Sequence, residues 1–459
     1  MKLSFHGADH GVTGSCHMIE IAGKRILIDC GLYQGNRELD EENADDFGFD
    51  PRSIDYLLLT HAHLDHCGRI PLLVKRGFTG EIIATSATRD LARIVMLDAA
   101  HLHEEEASRH ARHANRRGDE TSAPLYEAHD AFHALDRFGR KANYDDPIEL
   151  APTLHATFHD AGHILGSASI RIEDTQGSGQ SIIFSGDLGN SGRPILRNPQ
   201  VPPHADVVVM ETTYGDRLHK ALAPSVDELH QAIADTFVRG GNVVIPTFAL
   251  ERAQEILFYL REGIELGRLP RSMPVFLDSP MAISATQVFS RHPECFSAEN
   301  QALFANGKDP FMLPGLRFTR DTADSMAINR LVGGAVIMAG AGMCTGGRVR
   351  HHLRHNIWRR ESSVVFVGFA AKGTLAREIV DGAKHITVFG EKIPVRAHIH
   401  TINGFSAHAD RDELLAWQQA LQPAHTVLVH GDEKVMQAFA SLLKDTQIHM
   451  PKKDDELSF

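Results

Sequence analysis

No stretch of this sequence approaches the roughly 18 consecutive uncharged apolar residues of a membrane-spanning helix. The most apolar segment, LVGGAVIMAGAGM, is short and broken by glycines, so no membrane partner is expected. Cysteine is scarce. The five present (Cys16, Cys30, Cys67, Cys295 and Cys344) form no C-x-x-C pair. That excludes a zinc ribbon and argues for reduced thiols in the cytoplasm rather than a disulfide scaffold. Positive charge is in deficit, with 47 Lys and Arg against 59 Asp and Glu and a net charge of −12. Any contact with nucleic-acid phosphates must therefore rest on a local basic patch. The start, MKLSFHGADHGVTGSCHMIEIAGKRILIDCG, lacks the apolar core and cleavage site of a secretory signal and alternates like a pair of strands.

What the chain has in quantity is histidine, 29 residues in all. Its 459 residues suggest two or three domains, and 42% hydrophobic with 23% charged residues is a globular composition. Short apolar runs ending in polar clusters recur in the first half: RILIDCG, DYLLLTHAH, EIIAT, SIIFSGDLG and DVVVMETTYG. Residues 88–145 instead carry helical spacing, with Leu91, Ile94 and Val95 on one stripe. After Tyr214 helices and buried strands alternate to about residue 400, the rhythm of a separate parallel-sheet domain.

The densest chemistry lies in LLLTHAHLDHCGRIP, where His61, His63, Asp65 and His66 follow an apolar run. In a strand, residues i and i+2 project from the same face, so His61 and His63 can reach one ion together. Asp65 and His66 fall where the chain turns toward a helix and can address a second. Imidazole and carboxylate suit zinc. Four ligands are too few for two ions, and three later sites repeat the grammar of apolar strand, ligand side chain and glycine: His163 in HDAGHILGSAS, Asp187 in SIIFSGDLGN and His430 in TVLVHGDE. Two other H-x-H pairs are read as structural. His101 and His103 lie on a predicted helix, where positions two apart diverge by about 200°. His398 and His400 share a strand face without a neighbouring carboxylate.

H-x-H-x-D-H with downstream G-H-x-x-G-S and S-G-D resembles the metallo-β-lactamase fold superfamily. ETTYG (Glu211), GFSAHAD (His408) and VHGD (His430) resemble the β-CASP nucleases within it. The resemblance spans nearly the whole chain. It implies an α+β fold, a four-layer αββα metallo-β-lactamase sandwich with an inserted α/β β-CASP domain. The sandwich would take residues 1–212 and 401–459, and the insertion 213–400. The resemblance also implies two zinc ions, one on His61, His63 and His163 and the other on Asp65, His66 and His430, with Asp187 bridging. Asp65 and Asp187 would tolerate manganese or iron. Asp29, ending ILIDCG, would orient a ligand histidine.

The implied reaction is hydrolysis of phosphodiester bonds in single-stranded RNA by a hydroxide that two ions activate. His408 would act as general acid, held by Glu211, with Asp65 completing the catalytic set. In this family histidine at the position of His430 goes with RNA, and valine with DNA. For substrate binding, GMCTGGRVRHHLRHNIWRR carries five arginines and no acid. Gly346 and Gly347 open a predicted helix whose amides could cradle a phosphate, with Arg348 adding a bidentate contact. The other reading is a basic helix paired with the acidic remainder of the chain. An end at Phe459 leads to the expectation of a free-standing bacterial or archaeal-type ribonuclease, similar to the catalytic subunit of the eukaryotic pre-mRNA 3′-end cleavage machinery. By family habit it would be a homodimer. The rivals are a thioesterase- or lactonase-type hydrolase of the same fold, a DNA nuclease, and a non-catalytic RNA-binding subunit.

Overall fold

The computed structural model describes residues 1–35, 37–117, 123–368 and 370–459. They pack as two units, Met1–Leu218 with His408–Phe459, and His219–Ala407.

The first unit is built on two seven-stranded sheets. One runs in the order Glu456–Ser458, Lys2–Phe5, His17–Ile21, Lys24–Ile28, Tyr56–Leu58, Glu81–Thr85, Phe138–Ala142. The other runs Gln447–His449, His425–Val429, Val207–Glu211, Ser181–Phe184, Ala168–Asp174, Leu154–Asp160, Ile148–Ala151. Period-two alternation explains how they meet. Ile26, Ile28, Leu58 and Ile83 from one sheet join Phe158, Ile182, Phe184, Val209 and Val427 from the other in a single buried core. The intervening Ile183, Val208, Met210 and Leu428 face outward onto Leu414, Trp417 and Leu421 of helix Arg411–Leu421 and onto Met436 and Phe439 of helix Glu433–Ala440. Helix Ser86–Arg117 packs beside strand Glu81–Thr85. Strands covered on both faces read as continuous apolar runs, which is why this sequence shows so many.

The strands that matter for chemistry are the parallel ones. Lys24–Ile28, Tyr56–Leu58 and Glu81–Thr85 run together in one sheet, as do Ser181–Phe184, Val207–Glu211 and His425–Val429 in the other. Ligands of open α/β sheets gather at the carboxyl ends of parallel strands. Here those ends lead directly into Asp29, His61, Asp187, Glu211 and His430.

The second unit centres on a six-stranded, wholly parallel sheet ordered Leu316–Phe318, Val275–Leu277, Val336–Ala339, Val243–Pro246, Ser363–Phe366, His398–Thr401. A two-stranded hairpin, His385–Val388 with Glu391–Pro394, stands beside it. No helix among the described residues is long and apolar enough to cross a membrane.

Candidate metal centre

One expectation about the local backbone needs correcting. The strand before the histidine cluster ends at Leu58, so His61 and His63 do not share a strand face. They lie in an extended loop, and His63 is the N-cap of the one-turn helix Leu64–Cys67 (φ −66°, ψ 151°). This cap geometry, not pleat alternation, turns Asp65 and His66 into the cavity after the two preceding histidines.

A short chain of hydrogen bonds fixes the loop. Asp29 occupies the left-handed region at φ +61°, which Asp tolerates better than most residues. Its Oδ1 accepts the Thr60 amide at 2.8 Å, and Oδ2 accepts both the Thr60 hydroxyl and His66 Nδ1 at 2.7 Å. His66 is thereby held with Nε2 pointing the other way. Gly31 is demanded by contact, because a Cβ there would lie 1.6 Å from the Asp65 carbonyl oxygen.

Four ligand atoms converge in the first pocket. His63 Nδ1 is 3.1 Å from His61 Nε2 and 3.2 Å from His163 Nε2, and both of those nitrogens are 3.5 Å from Asp187 Oδ2. Tetrahedral ligands about 2.0–2.1 Å from a zinc ion stand roughly 3.3–3.4 Å apart, so these edges match such a cage. In the second group His66 Nε2 is 3.4 Å from Asp187 Oδ1, His430 Nδ1 is 3.5 Å from the same oxygen, and His430 Nε2 is 3.6 Å from Asp65 Oδ2. His66 Nε2, His430 Nε2 and Asp187 Oδ1 are buried polar atoms with no hydrogen-bond partner. Native folds avoid such orphans unless something polar or cationic satisfies them. His61, His63, His163 and Asp187 on one side, and Asp65, His66 and His430 on the other, each form a group able to hold an ion.

The protonation pattern agrees with that chemistry. Burial holds His61 and His163 well below the usual imidazole range and His63 at about 4, leaving them neutral with lone pairs available. Burial works against the Asp187 carboxylate, but His430, His66 and His61 hold its pKa well below the ordinary value. Burial also opposes charge on His66 and His430, yet Asp187, with Asp29 for the first and Asp65 for the second, raises both.

Beside this cluster, His408 Nδ1 lies 3.2 Å from both Glu211 oxygens. Glu211 Oε1 accepts the Leu188 amide at 2.6 Å, and the next residue, Ala409, donates its amide to the Leu188 carbonyl at 2.7 Å. The His408 ring stands 4.4 Å from that of His163. Its side chain is 21% exposed while that of Glu211 is 1% exposed, so of the two only the imidazole can meet a substrate. Burial lowers the His408 pKa, but the Glu211 carboxylate outweighs it and brings the value to about 9.

Sequence reasoning passed over the residues that steady these groups. Thr60 bridges Asp29 and His61, with its hydroxyl 3.1 Å from His61 Nδ1, and Thr213 sits 3.2 Å from His430 Nδ1. The Ser167 hydroxyl accepts the His163 amide at 3.0 Å. Thr60 was visible as a hydroxyl next to a ligand and Ser167 as one four residues from a ligand, whereas Thr213 lies 217 residues from His430. Of the other histidine pairs, His101 is a solvated helix residue paired with Glu105, whereas His103 is half-buried against the Tyr126 ring.

The expectation for Arg348 is corrected outright. Its guanidinium binds Asp278 Oδ1 at 2.7 Å and the Thr319 and Arg320 carbonyls at 3.0 and 2.6 Å, so it has no free fork for a phosphate. The reason is the buried Asp278 carboxylate, which must be paired and also accepts from Thr319, Ser325 and His352. Arg354 is likewise taken by Glu391, and Arg359 by the Leu331 and Val332 carbonyls. Gly346 and Gly347 do precede a helix, Val349–Asn356; Gly347 has φ +72°, and a Cβ there would meet the Gly340 carbonyl oxygen at 2.4 Å.

Two facing mixed sheets with a His/Asp cage at the carboxyl ends of their parallel strands define a metal-dependent hydrolase of the metallo-β-lactamase fold. The metallo-β-lactamase superfamily model matches residues 11–229, the β-CASP domain model 253–379, and a model described as a Zn-dependent metallo-hydrolase RNA specificity domain 392–451. Ribonuclease TTHA0252 of Thermus thermophilus is 42% identical over 443 residues, 96% of each chain. Transcription termination factor FttA of Methanocaldococcus jannaschii is 30% identical over 456 residues, covering 97% of this chain and 69% of its own. A solved protein of unknown function from Enterococcus faecalis shares the fold at TM-score 0.54 and 13% identity, with 99% of both chains covered. The chain belongs to the β-CASP family of the metallo-β-lactamase superfamily.

Proposed function

We propose that this chain is a zinc-dependent ribonuclease that hydrolyses phosphodiester bonds in single-stranded RNA. In this reading His61, His63, His163 and Asp187 hold one ion, Asp65, His66, His430 and Asp187 hold a second, and His408 is the general acid. The observation that carries it is the set of ligand atoms 3.1–3.6 Å apart around Asp187, three of them buried without a hydrogen bond. The donor set of five imidazoles and two carboxylates suits zinc best, with manganese or iron as the next fits. Bound there, the ions would act as Lewis acids on phosphoryl oxygens and make water a competent nucleophile near neutral pH.

The chain's own residues supply positioning and the proton. Asp29 fixes the His66 tautomer by accepting from Nδ1, leaving Nε2 as the ligand atom. Glu211 likewise engages His408 Nδ1, so the transferable proton is the one on Nε2. As the bond to the leaving oxygen breaks, that proton passes to the oxygen and His408 becomes neutral. Glu211 cannot reach substrate and serves only to orient and charge the imidazole. The five cysteines are buried free thiols, which supports a reducing compartment, the cytoplasm.

Incubation with 5′-labelled RNA and DNA oligonucleotides tests the reading. RNA fragments from the parent, and their loss in His408→Ala with metal content retained, are expected. Preference for DNA, hydrolysis of a thioester without RNA cleavage, or tight RNA binding by an inert zinc-loaded protein would each replace it.

A further inference from the structure

The ribonuclease reading leaves open how the second unit engages a strand, and Arg348 is spent on Asp278. A different set of residues in that unit is free. A cavity of about 520 Å³ is lined by Arg350, Lys372, Thr345 and Thr387, among others. Arg350 Nε is a buried donor with no hydrogen-bond partner, and the exposed Lys372 adds a second cation to the lining. The third lining cation, Arg377, is already paired with Asp381. Glu378, the lining carboxylate outside that pair, offers an acceptor for a ribose hydroxyl or a base amino group.

Next to this cavity stands an aromatic ring in an unusual position. Thr387 belongs to the hairpin His385–Val388 with Glu391–Pro394, where Val388 pairs with Glu391 across the two-residue turn Phe389-Gly390. Both turn residues have positive φ, +52° and +80°. That backbone is the type I′ turn, which favours Asn-Gly. A phenylalanine there is a conformational outlier, and it is not repaid by burial, since Phe389 remains 46% exposed. Arg350 reaches it from the cavity, its guanidinium 4.8 Å from the ring centroid, and the His351 ring lies 4.4 Å away.

Strained, exposed aromatic residues beside unpaired cations are the elements with which proteins bind single strands, stacking a base and neutralising the adjoining phosphate. We infer that Phe389, Arg350 and Lys372 form a single-stranded RNA subsite, in which a base stacks on Phe389 and its phosphate enters the cavity at Arg350 and Lys372. The inference rests on the ribonuclease reading and assigns part of the strand's path to the second unit.

The test measures anisotropy of a labelled, cleavage-resistant phosphorothioate oligoribonucleotide on the metal-loaded protein across a salt series. Phe389→Asn is the informative variant, because Asn suits the turn: thermal stability should hold or rise while affinity falls roughly tenfold. Phe389→Tyr keeps a stacking ring and should bind like the parent. Arg350→Ala with Lys372→Ala should reduce the slope of log affinity against log salt by about 0.7, the share of the one phosphate held between them. Parent-like affinity in Phe389→Asn together with an undiminished slope in the double variant overturns the subsite. Cleavage of unmodified RNA is scored alongside. A parent that cuts RNA while the variants bind unchanged removes only the subsite, whereas a parent that neither binds nor cuts RNA removes the ribonuclease reading itself.

Discussion

His408 Nδ1 is equidistant, at 3.2 Å, from the two carboxylate oxygens of Glu211, and Glu211 is itself pinned by the Leu188 amide. The antiparallel bridge between Gly189 and His408 holds the same loop from the other side. A buried carboxylate and a partly open imidazole are thus locked as a pair at the margin of the metal cage.

That pairing sets a pH dependence. With its pKa raised to about 9, His408 carries its proton below that value and loses it as pH rises through it. Glu211→Gln removes the carboxylate that raises it, so the alkaline limb of kcat/KM should move to lower pH. Bound cations lower the limb in parent and variant alike and leave the sign of the difference intact. His408→Ala should cut kcat by about 10²- to 10⁴-fold. A Glu211→Gln profile superimposable on the parent's would contradict the assignment.

Asp29 should act through His66 directly and through His61 by way of Thr60. Asp29→Asn keeps the shape but cannot accept from His66 Nδ1 and Thr60 as the carboxylate does. Metal affinity, read by competition with a chromophoric chelator, should fall roughly 10- to 100-fold. Zinc restored to saturation should return most of the activity. Unchanged affinity would leave Asp29 as a turn residue only.

The buried Asp278 makes the second unit acid-sensitive. Burial disfavours its charge, but hydrogen bonds from His352, Ser325, Arg348 and Thr319 bring its pKa down to about 2. A depressed carboxylate contributes stability above its unfolded value, near 3.9, and that stability is lost as pH falls toward 2. The shift corresponds to about 2–3 kcal/mol. Asp278→Asn should cost roughly 3 kcal/mol at pH 7, since it leaves Arg348 and His352 without their partner. In denaturant titrations the gap between parent and variant should narrow between about pH 4 and pH 2.

Much of the site was legible in the sequence because its ligands obey one local rule. Asp29, His61, Asp187, Glu211 and His430 each lie at or within a few residues of the end of a parallel strand, and apolar runs followed by such residues mark strand ends. The role of His63 was less legible: its direction comes from an N-cap conformation, and H-x-H looks the same in a strand and a cap. Arg348 misled for a different reason. A basic segment reads as free charge until the fold reveals its partner, and Asp278 lies 70 residues away. The supporting hydroxyl of Thr213 was hidden in the same way, since only the folded chain brings His430 against it.

The central claim, two ions shared through Asp187, is tested most directly by counting metal per chain in the purified protein, its His163→Ala variant and its His430→Ala variant. Two zinc equivalents in the parent and about one in each variant are expected, with RNA cleavage lost in both. A parent that saturates with a single ion, or variants that each retain two, would contradict it.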